Sequence, residues 1–476
     1  MIYHRRFLII FNNLIFFTLL VSQELPQNSL TDKINNFYFD SGYNWEQLSH
    51  FGPHRYYING SKGIIDTNQI SNNKLNIISG LEFYNRAYLI SLKAFYKFKD
   101  HFYIFLHPVL ASDANNTPFY SGINRPKSRF GFKSGEFKMS GLGFENEWAI
   151  IQYGRGVQSW GAGNNIQISI SHNSQSYDYG LIGLKMEKLR FRYFHGFLEN
   201  INNSNRYIVG KGLEYNNFNN LILSLSEILI YSGNNRPIDI SYINPVSSHL
   251  EVELNDRQNL LGTDSGNAIW QFSFDYYKNK FRISSNFIID ELVIDKEERE
   301  NGHNHFLATS FKLVYSLNNI SIKNLYGFNI FAQYISVGKN TFRHETVSDI
   351  NTGEITGYNN FVSRGFPLGW QGGSHSDELK IGINYLRNKI HTNIFLGFIN
   401  SGQHSILDNP YLSYDLIKNY ISDESKTEQN IFFGLEFDFL INEKIRLFSD
   451  LKFNSFNKTK NENFLKIALE VSLKNY

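Results

Sequence analysis

Beyond residue 74, apolar side chains recur at every second position through most of the chain. The last segment sets Leu465, Ile467, Leu469, Val471 and Leu473 on one face, against Lys466, Ala468, Glu470, Ser472 and Lys474 on the other. Phe433, Leu435, Phe437 and Phe439 alternate with Gly434, Glu436 and Asp438, and Trp270, Phe272, Phe274 and Tyr276 with Gln271, Ser273 and Asp275. A period of two marks strands with one apolar face. Runs of about ten residues match the tilted strand that crosses a bilayer. The predicted fold class is all-β, a transmembrane antiparallel β-barrel with apolar side chains toward lipid and polar ones toward the lumen. A soluble sandwich or propeller also uses short alternating strands, so the connections decide.

Outer-membrane barrels keep their periplasmic turns short and their extracellular loops long. If the final strand ends in the periplasm, every second connection counted backwards is periplasmic. These are "LINEK" (440–444), "LRNK" (386–389), "SLNN" (316–319), "KNK" (278–280) and "NNFN" (216–219), all turn-sized. The interleaved connections, 400–430, 336–378, 291–304 and 231–267, are far longer and rich in Asn, Gly, Ser, Asp and His. A sandwich has no reason to segregate its loops in this way. Toward the N-terminus the pattern places strands near 207–215, 188–198, 177–186, 144–153, 129–140, 102–110, 88–97 and 75–84. The total is about 18, an even number as single-chain bacterial barrels require. Both ends of the barrel, residues 75–476, then face the periplasm, and residues 23–74 form a short helical or irregular periplasmic segment or plug.

Residues 1–22 read as a signal peptide. Arg5 and Arg6 precede an apolar stretch from Phe7 to Val21, interrupted by Asn12 and Asn13, and Ser22 is a small residue beside a cut before Gln23 or Glu24. The alternative, a membrane-anchoring helix, wants about 20 unbroken apolar residues. No later run is long enough to span as a helix, and the mean hydropathy of -0.34 is what strands with one polar face produce. The expected location is the bacterial outer membrane, with its lipid as a partner. The chain has no cysteine, which removes disulfides, thiol nucleophiles and Cys-ligated metals. A net charge of +2 without a long basic run excludes nucleic acid as the main partner.

Two outward connections carry candidate chemistry. The stretch "GRGVQSWGAGNNIQISISHN" (154–173) sets Gly154, Gly156, Gly161 and Gly163 around Trp160, then alternates Ile166, Ile168 and Ile170 with Gln167, Ser169 and Ser171. It is predicted to lie on the extracellular side of the lumen mouth. Trp160 offers a face on which a sugar ring can stack, and Asn164 and Asn165 each present a donor and an acceptor to neutral hydroxyls. A place in the interfacial aromatic girdle is the other reading of Trp160. Residues Asn359 to Tyr385 repeat the recipe, with Trp370 among Gly369, Gly372 and Gly373, and Arg364, His375 and Asp377 nearby. The predicted polysaccharide-binding set is Trp160, Asn164, Asn165, Arg364, Trp370, His375 and Asp377.

No catalytic residue, metal or cofactor is expected. His303-Asn304-His305 beside Asp295–Glu300 lacks spaced third and fourth ligands, and reads as a solvated acidic loop. His391 and Ser449 are residue types that outer-membrane lipid hydrolases use, but a triad is identified by geometry. Gly154-Arg155-Gly156 is not followed by Gly-Lys-Ser/Thr or a helical pattern, so it is no phosphate cradle.

The segments "YGRGVQSWGAGNNIQISIS" (153–171), "LSLSEILIYSGNNRPIDISYINP" (223–245), "FIIDEL" (287–292) and "NNFVSRGFPLGWQGGSHSDEL" (359–379) resemble the Wzi family of outer-membrane capsule assembly proteins. Trp-Gly-x-Gly-Asn-Asn and Arg-Gly-x-Pro-Leu-Gly are the most specific parts. The resemblance implies an 18-stranded barrel with a lectin-like, non-enzymatic role, holding capsular or extracellular polysaccharide at the cell surface, with the polysaccharide export machinery as a further partner. The family's best-known members carry an N-terminal helical bundle, whereas residues 23–74 show only weak helical periodicity. The competing function is a sugar-permeable outer-membrane porin, since 18 strands are wide enough for an aqueous lumen; a structural adhesin is a third. The path of residues 336–378, into the lumen or over its mouth, and the charge at any constriction separate these readings.

Overall fold

The computed structural model describes residues 29–42, 45, 48–52, 75–98, 101–259, 266–293, 296, 300, 305–317, 326–344, 347–348, 355–387, 389–402, 405–407, 428–442, 444–455 and 464–474. The expected signal peptide, His303, Asn304 and Tyr476 lie outside these residues.

The alternating segments form β1 (Leu75–Tyr84), β2 (Tyr88–Phe98), β3 (Phe102–Ala111), β4 (Ser134–Glu145), β5 (Ala149–Gly156), β6 (Tyr177–Met186), β7 (Leu189–Ile201), β8 (Ser204–Asn216) and β9 (Leu221–Asn234). They continue as β10 (Asn267–Lys278), β11 (Phe281–Glu291), β12 (Phe306–Ser316) and β13 (Tyr326–Val337). Four short strands, β14 (Val347–Ser348), β15 (Ile355–Gly357), β16 (Val362–Ser363) and β17 (Phe366–Pro367), make two small ladders in the following loop. The wall resumes with β18 (Ser376–Arg387), β19 (Ile390–Ser401), β20 (Glu428–Leu440), β21 (Ile445–Ser455) and β22 (Phe464–Lys474).

The long strands form one 18-stranded antiparallel sheet. Pairing of β22 with β1, from Asn76↔Lys474 to Tyr84↔Lys466, closes it. Closure leaves no unpaired edge, which a lipid environment demands of a strand-built span. The period of two sorts the side chains as expected. On β18, Leu379, Ile381 and Ile383 are exposed on the outer wall. Glu378 faces inward and accepts a hydrogen bond from Gln333 Nε2 at 2.9 Å. This is the closed barrel of outer-membrane proteins.

Two local expectations change. The strands predicted at 129–140 and 144–153 are Ser134–Glu145 and Ala149–Gly156. The run Ser140-Gly141-Leu142-Gly143 reads as a turn but lies within β4, because its glycines leave room for lumen-facing rings: a Cβ on Gly143 would sit 2.2 Å from Tyr103 Cζ. The turn falls instead at Asn146, whose Oδ1 accepts from Trp148 N (3.1 Å) and Ala149 N (2.7 Å), the local bonding that suits Asn to turns. The predicted turn "SLNN" (316–319) is described only as far as Leu317; residues 318–325 lie outside the described residues. Finally, 85–87 and 202–203 are short although they lie at the long-loop end, so the loop asymmetry holds for most connections but not all.

The N-terminal segment enters the barrel from the periplasmic end. Helix α1 (Ser29–Asp40) buries Phe37, Tyr38, Phe39 and Asp40 in succession. The Asp40 carboxylate meets Arg282 Nη1 at 2.8 Å and Lys312 Nζ at 3.4 Å, and the Phe37 carbonyl accepts from Asn329 Nδ2 at 3.1 Å. At its other end Lys33 Nζ lies 3.1 Å from Glu436, 3.1 Å from Asp438 and 3.7 Å from Asp450. Burial alone would depress the Lys33 ammonium; these carboxylates outweigh it and raise its pKa above the usual lysine value.

Candidate functional site

Gly161, at φ +123°, and Gly163, at φ +64°, turn the loop between β5 and β6 down into the lumen. A Cβ on Gly161 would lie 2.7 Å from Asn286 Oδ1 of the wall. That asparagine grips the loop from both sides: Oδ1 accepts from Ala162 N at 2.6 Å, and Nδ2 donates to the carbonyls of Ala162 and Ile166, each at 3.1 Å. The stretch Ile166–Ile170 therefore runs inside the barrel and is not a wall strand. Ile166, Ile168 and Ile170 join an internal apolar cluster, while Gln167, Ser169 and Ser171 are buried as well and bond to neighbouring polar groups. Ser169 Oγ donates to Gln271, and Ser310 Oγ donates to the Ile166 carbonyl at 2.7 Å.

Asp275 is where this loop, the N-terminal segment and the wall meet. Its carboxylate takes a fork from Arg282, Nε to Oδ1 at 3.1 Å and Nη2 to Oδ2 at 3.0 Å. Oδ2 also accepts from Gly163 N at 3.2 Å and lies 3.1 Å from His50 Nε2. Burying a carboxylate is costly unless charge and hydrogen bonds compensate; here both do. Residues 48–52 are held in turn by Glu214, which takes His50 N at 2.5 Å and Arg190 Nη1 at 2.8 Å.

The loop between β13 and β18 packs on top of this plug. Trp370 N donates to the Ile168 carbonyl at 3.2 Å, and Ser171 donates from N to Leu368 O and from Oγ to Gly369 O, both at 2.8 Å. The approach is so close that a Cβ on Gly369 would fall 1.7 Å from Ile168 O. Arg206 of β8 secures the same loop by donating to the carbonyls of Tyr358 (2.7 Å), Asn360 (2.6 Å) and Val362 (2.9 Å). The described residues among 336–378 thus cap an already occupied lumen.

The predicted set does not form one surface. Trp160 is 0% exposed and packs between Phe51 and Phe194, ring centroids 4.6 and 5.1 Å away. It has no free face for a sugar and no place in a lipid-facing girdle. Asn164 is buried in the same loop, and Asn165, at φ +63°, is exposed on it. Trp370 is half-buried at the edge of the internal cluster. Arg364 is exposed at φ +49°, with Nη1 3.7 Å from Glu136 and its backbone N donating to Glu199. His375 is half-buried, its N donating to Gly338 O at 3.1 Å. Asp377 shares the outward face of β18 with Leu379 and accepts from Ser336 Oγ at 2.8 Å, so it faces away from the mouth. His391 and Ser449 lie on opposite faces of the wall: His391 Nδ1 is 3.1 Å from lumenal Asp438, while Ser449 shares the outward face with Leu447 and Phe453.

Sequence reasoning passed over the loop between β3 and β4. It presents Arg125, Lys127 and Arg129 in exposed positions, with Phe130 fully exposed at φ +53°. The signal was in "NRPKSRFGFK", four cations around two aromatic residues. Also unassigned were the inward-facing charges of the wall formed by β20–β22 and β1–β2. These pair as Lys93–Glu470 and Lys466–Glu82, each at 3.1 Å, and Arg446–Glu470 at 2.7 Å.

No protein-family model matches the chain, and no curated protein matches it. Among solved structures it is similar to Wzi, an outer membrane protein involved in group 1 capsule assembly in Escherichia coli, described as a carbohydrate-binding β-barrel. The two share 9% identity at a TM-score of 0.62, over 96% of this chain and 99% of that one. Pseudomonas aeruginosa OccK10 matches at 8% identity and TM-score 0.45, over 85% of this chain and 100% of its own. Pseudomonas aeruginosa OprD matches at 10% identity and TM-score 0.43, over 85% and 95%. At such identities the likeness extends to the fold, and the chain has the architecture of an outer-membrane β-barrel.

Proposed function

We propose that this protein sits in the bacterial outer membrane and binds polysaccharide at the cell surface without acting on it, retaining capsular or extracellular polymer delivered by an export machinery. The observation that carries the reading is the occupied lumen. Helix α1, residues 48–52 and the loop between β5 and β6 fill the side lined by β5–β13, so the groups that can meet a polymer are those of the outer mouth. There Trp370 and Phe130 supply aromatic surface, and Arg364, Arg125, Lys127 and Arg129 supply cationic donors. Rings stack on the apolar faces of sugars, and the cations suit hydroxyls and acidic substituents. Single contacts are weak, but a repeating polymer engages many copies at once. Trp160 and Asn164 are left out of this site because they are buried. The likeness to a carbohydrate-binding barrel supports the same reading.

The mixed charges of the wall from β20 through β2 favour the other reading, a sugar-permeable porin, because opposed charges line such constrictions. Single-channel conductance of the reconstituted protein, with and without polysaccharide from the same cells, separates the two. A large steady conductance refutes the proposal. Negligible conductance with polymer retained on protein-bearing membranes, and lost on combined Trp370→Ala and Phe130→Ala replacement, supports it.

A further inference from the structure

Residues 236–259, between β9 and β10, lie against the outer wall of the barrel, not over its mouth. Strand alternation fixes which wall residues face outward. Lys211 and Tyr207 share their face of β8 with exposed Leu213, Glu227 and Tyr231 share theirs on β9 with exposed Leu223 and Leu225, and Tyr193 shares its face of β7 with exposed Leu189. The loop covers these polar wall groups. Its two short helices are α2 (Ile240–Ile243) and α3 (His249–Leu254). Lys211 Nζ lies 3.3 Å from Glu227 and donates to the Ser247 carbonyl. Glu227 also takes His249 N at 3.0 Å and lies 2.6 Å from His249 Nδ1. Tyr207 OH donates to Arg236 O at 2.9 Å, Tyr193 OH donates to Tyr242 O at 3.3 Å, and the rings of Tyr207, Tyr231 and Tyr242 stack in sequence, each pair of centroids 4.9 Å apart.

Much of the outward side of this flap is apolar: Val246 is 87% exposed, Ile240 81% and Leu254 80%, with Ile238, Ile243 and Leu250 also exposed on it, and its exposed charges include the Arg257–Glu251 pair, at 2.6 Å. In water that arrangement leaves six large apolar side chains unsatisfied. It is the stable one if the surroundings are hydrocarbon, where an uncovered Lys211–Glu227 pair on the wall would be penalised with depth. The apolar surface of the flap continues into the lipid-facing belt: Leu213, Leu223, Leu225, Phe272 and Phe287 line an apolar groove of about 430 Å³ on the neighbouring wall.

We propose that residues 236–259 form a membrane-inserted flap whose exposed apolar side chains dissolve among the acyl chains of the outer leaflet, with the Arg257–Glu251 pair at the headgroup level, while its inner side screens the Lys211–Glu227–His249 cluster from lipid. The inference needs only that the barrel is embedded, and stands whether or not polymer binds. The chain has no cysteine, so V246C and L254C each give a single nitroxide site that disturbs no packed contact. N116C on the exposed loop between β3 and β4 is the aqueous control. In full-length protein reconstituted into vesicles of lipopolysaccharide and phosphatidylethanolamine, power-saturation EPR compares collisions with oxygen, which partitions into lipid, and with a water-soluble nickel chelate. The expected result is several-fold more oxygen than nickel collisions at 246 and 254, with the order reversed at 116. A water-like profile at both flap sites overturns the proposal. So does exclusion of both reagents together with flap-to-flap cross-links at 246, which would assign the surface to a second copy.

Discussion

Replacing Trp160 with Ala tests the plug directly. The ring is wholly enclosed, with Phe51 of the N-terminal segment on one side and Phe194 of the wall on the other. Truncating a buried Trp or Phe costs about 3–5 kcal/mol, most of it transfer energy and the cavity left behind. The 18 hydrogen-bonded ladders of the barrel do not depend on this ring, so the loss falls on the equilibrium between inserted and withdrawn loop. At 1.4 kcal/mol per decade, that shifts the equilibrium by roughly two to three and a half orders of magnitude toward the open lumen. The assay is single-channel recording in planar bilayers, with heat-modifiable migration on gels as the check that the barrel remains folded. Wild type should be nearly silent and Trp160→Ala should flicker open, while polymer retention by intact cells changes little. If the variant is as silent as wild type and instead loses polymer, Trp160 contacts the ligand and the plug assignment fails.

Asp40→Asn removes the carboxylate shared by Arg282 and Lys312; stripping one partner from a buried ion pair costs about 3–5 kcal/mol, so α1 should become protease-accessible from the periplasmic side, and persistent protection would count against the lumenal docking. Lys33 adds a pH dependence. Its folded pKa is raised, so its contribution is complete below the ordinary lysine value of about 10.4 and fades only as pH climbs through the higher folded value. Protection of α1 should therefore hold at pH 7 and fall at strongly alkaline pH, and Lys33→Met should already show the weakened protection at pH 7. Gly369→Val drives a side chain into the Ile168 carbonyl, so the capping loop should lift and expose Trp370; an unchanged tryptophan emission maximum would show that the two loops do not pack as described.

How much was legible follows from what each residue faces. The wall was readable because its two sides are different solvents: Leu465, Ile467 and Leu469 see lipid, and Lys466 and Glu470 see the lumen. The number of strands, their antiparallel order and most of the loop asymmetry followed. Residues 166–171 carry the same period of two with both faces inside protein, so alternation alone could not tell an inserted loop from a strand. Helix α1 showed only weak helical periodicity because Phe37, Tyr38, Phe39 and Asp40 are all enclosed, the aromatic residues among rings and Asp40 against cations. Asp377 was decidable in advance: two positions before Leu379 in an alternating strand, it belongs to the outward face. Phe51 lies more than a hundred residues from Trp160, as do His50 and Gly163 from Asp275, and no local pattern announces such a meeting.

Asp275 also acts as a coincidence detector. Its Oδ2 is shared by His50, which comes from the periplasmic end, and by Gly163, which comes from the outer end. The buried carboxylate is fully satisfied only when both segments are in place, so loss of either one is felt by the other. The two halves of the plug are thereby a single cooperative stopper, and loosening it at one end of the barrel loosens it at the other.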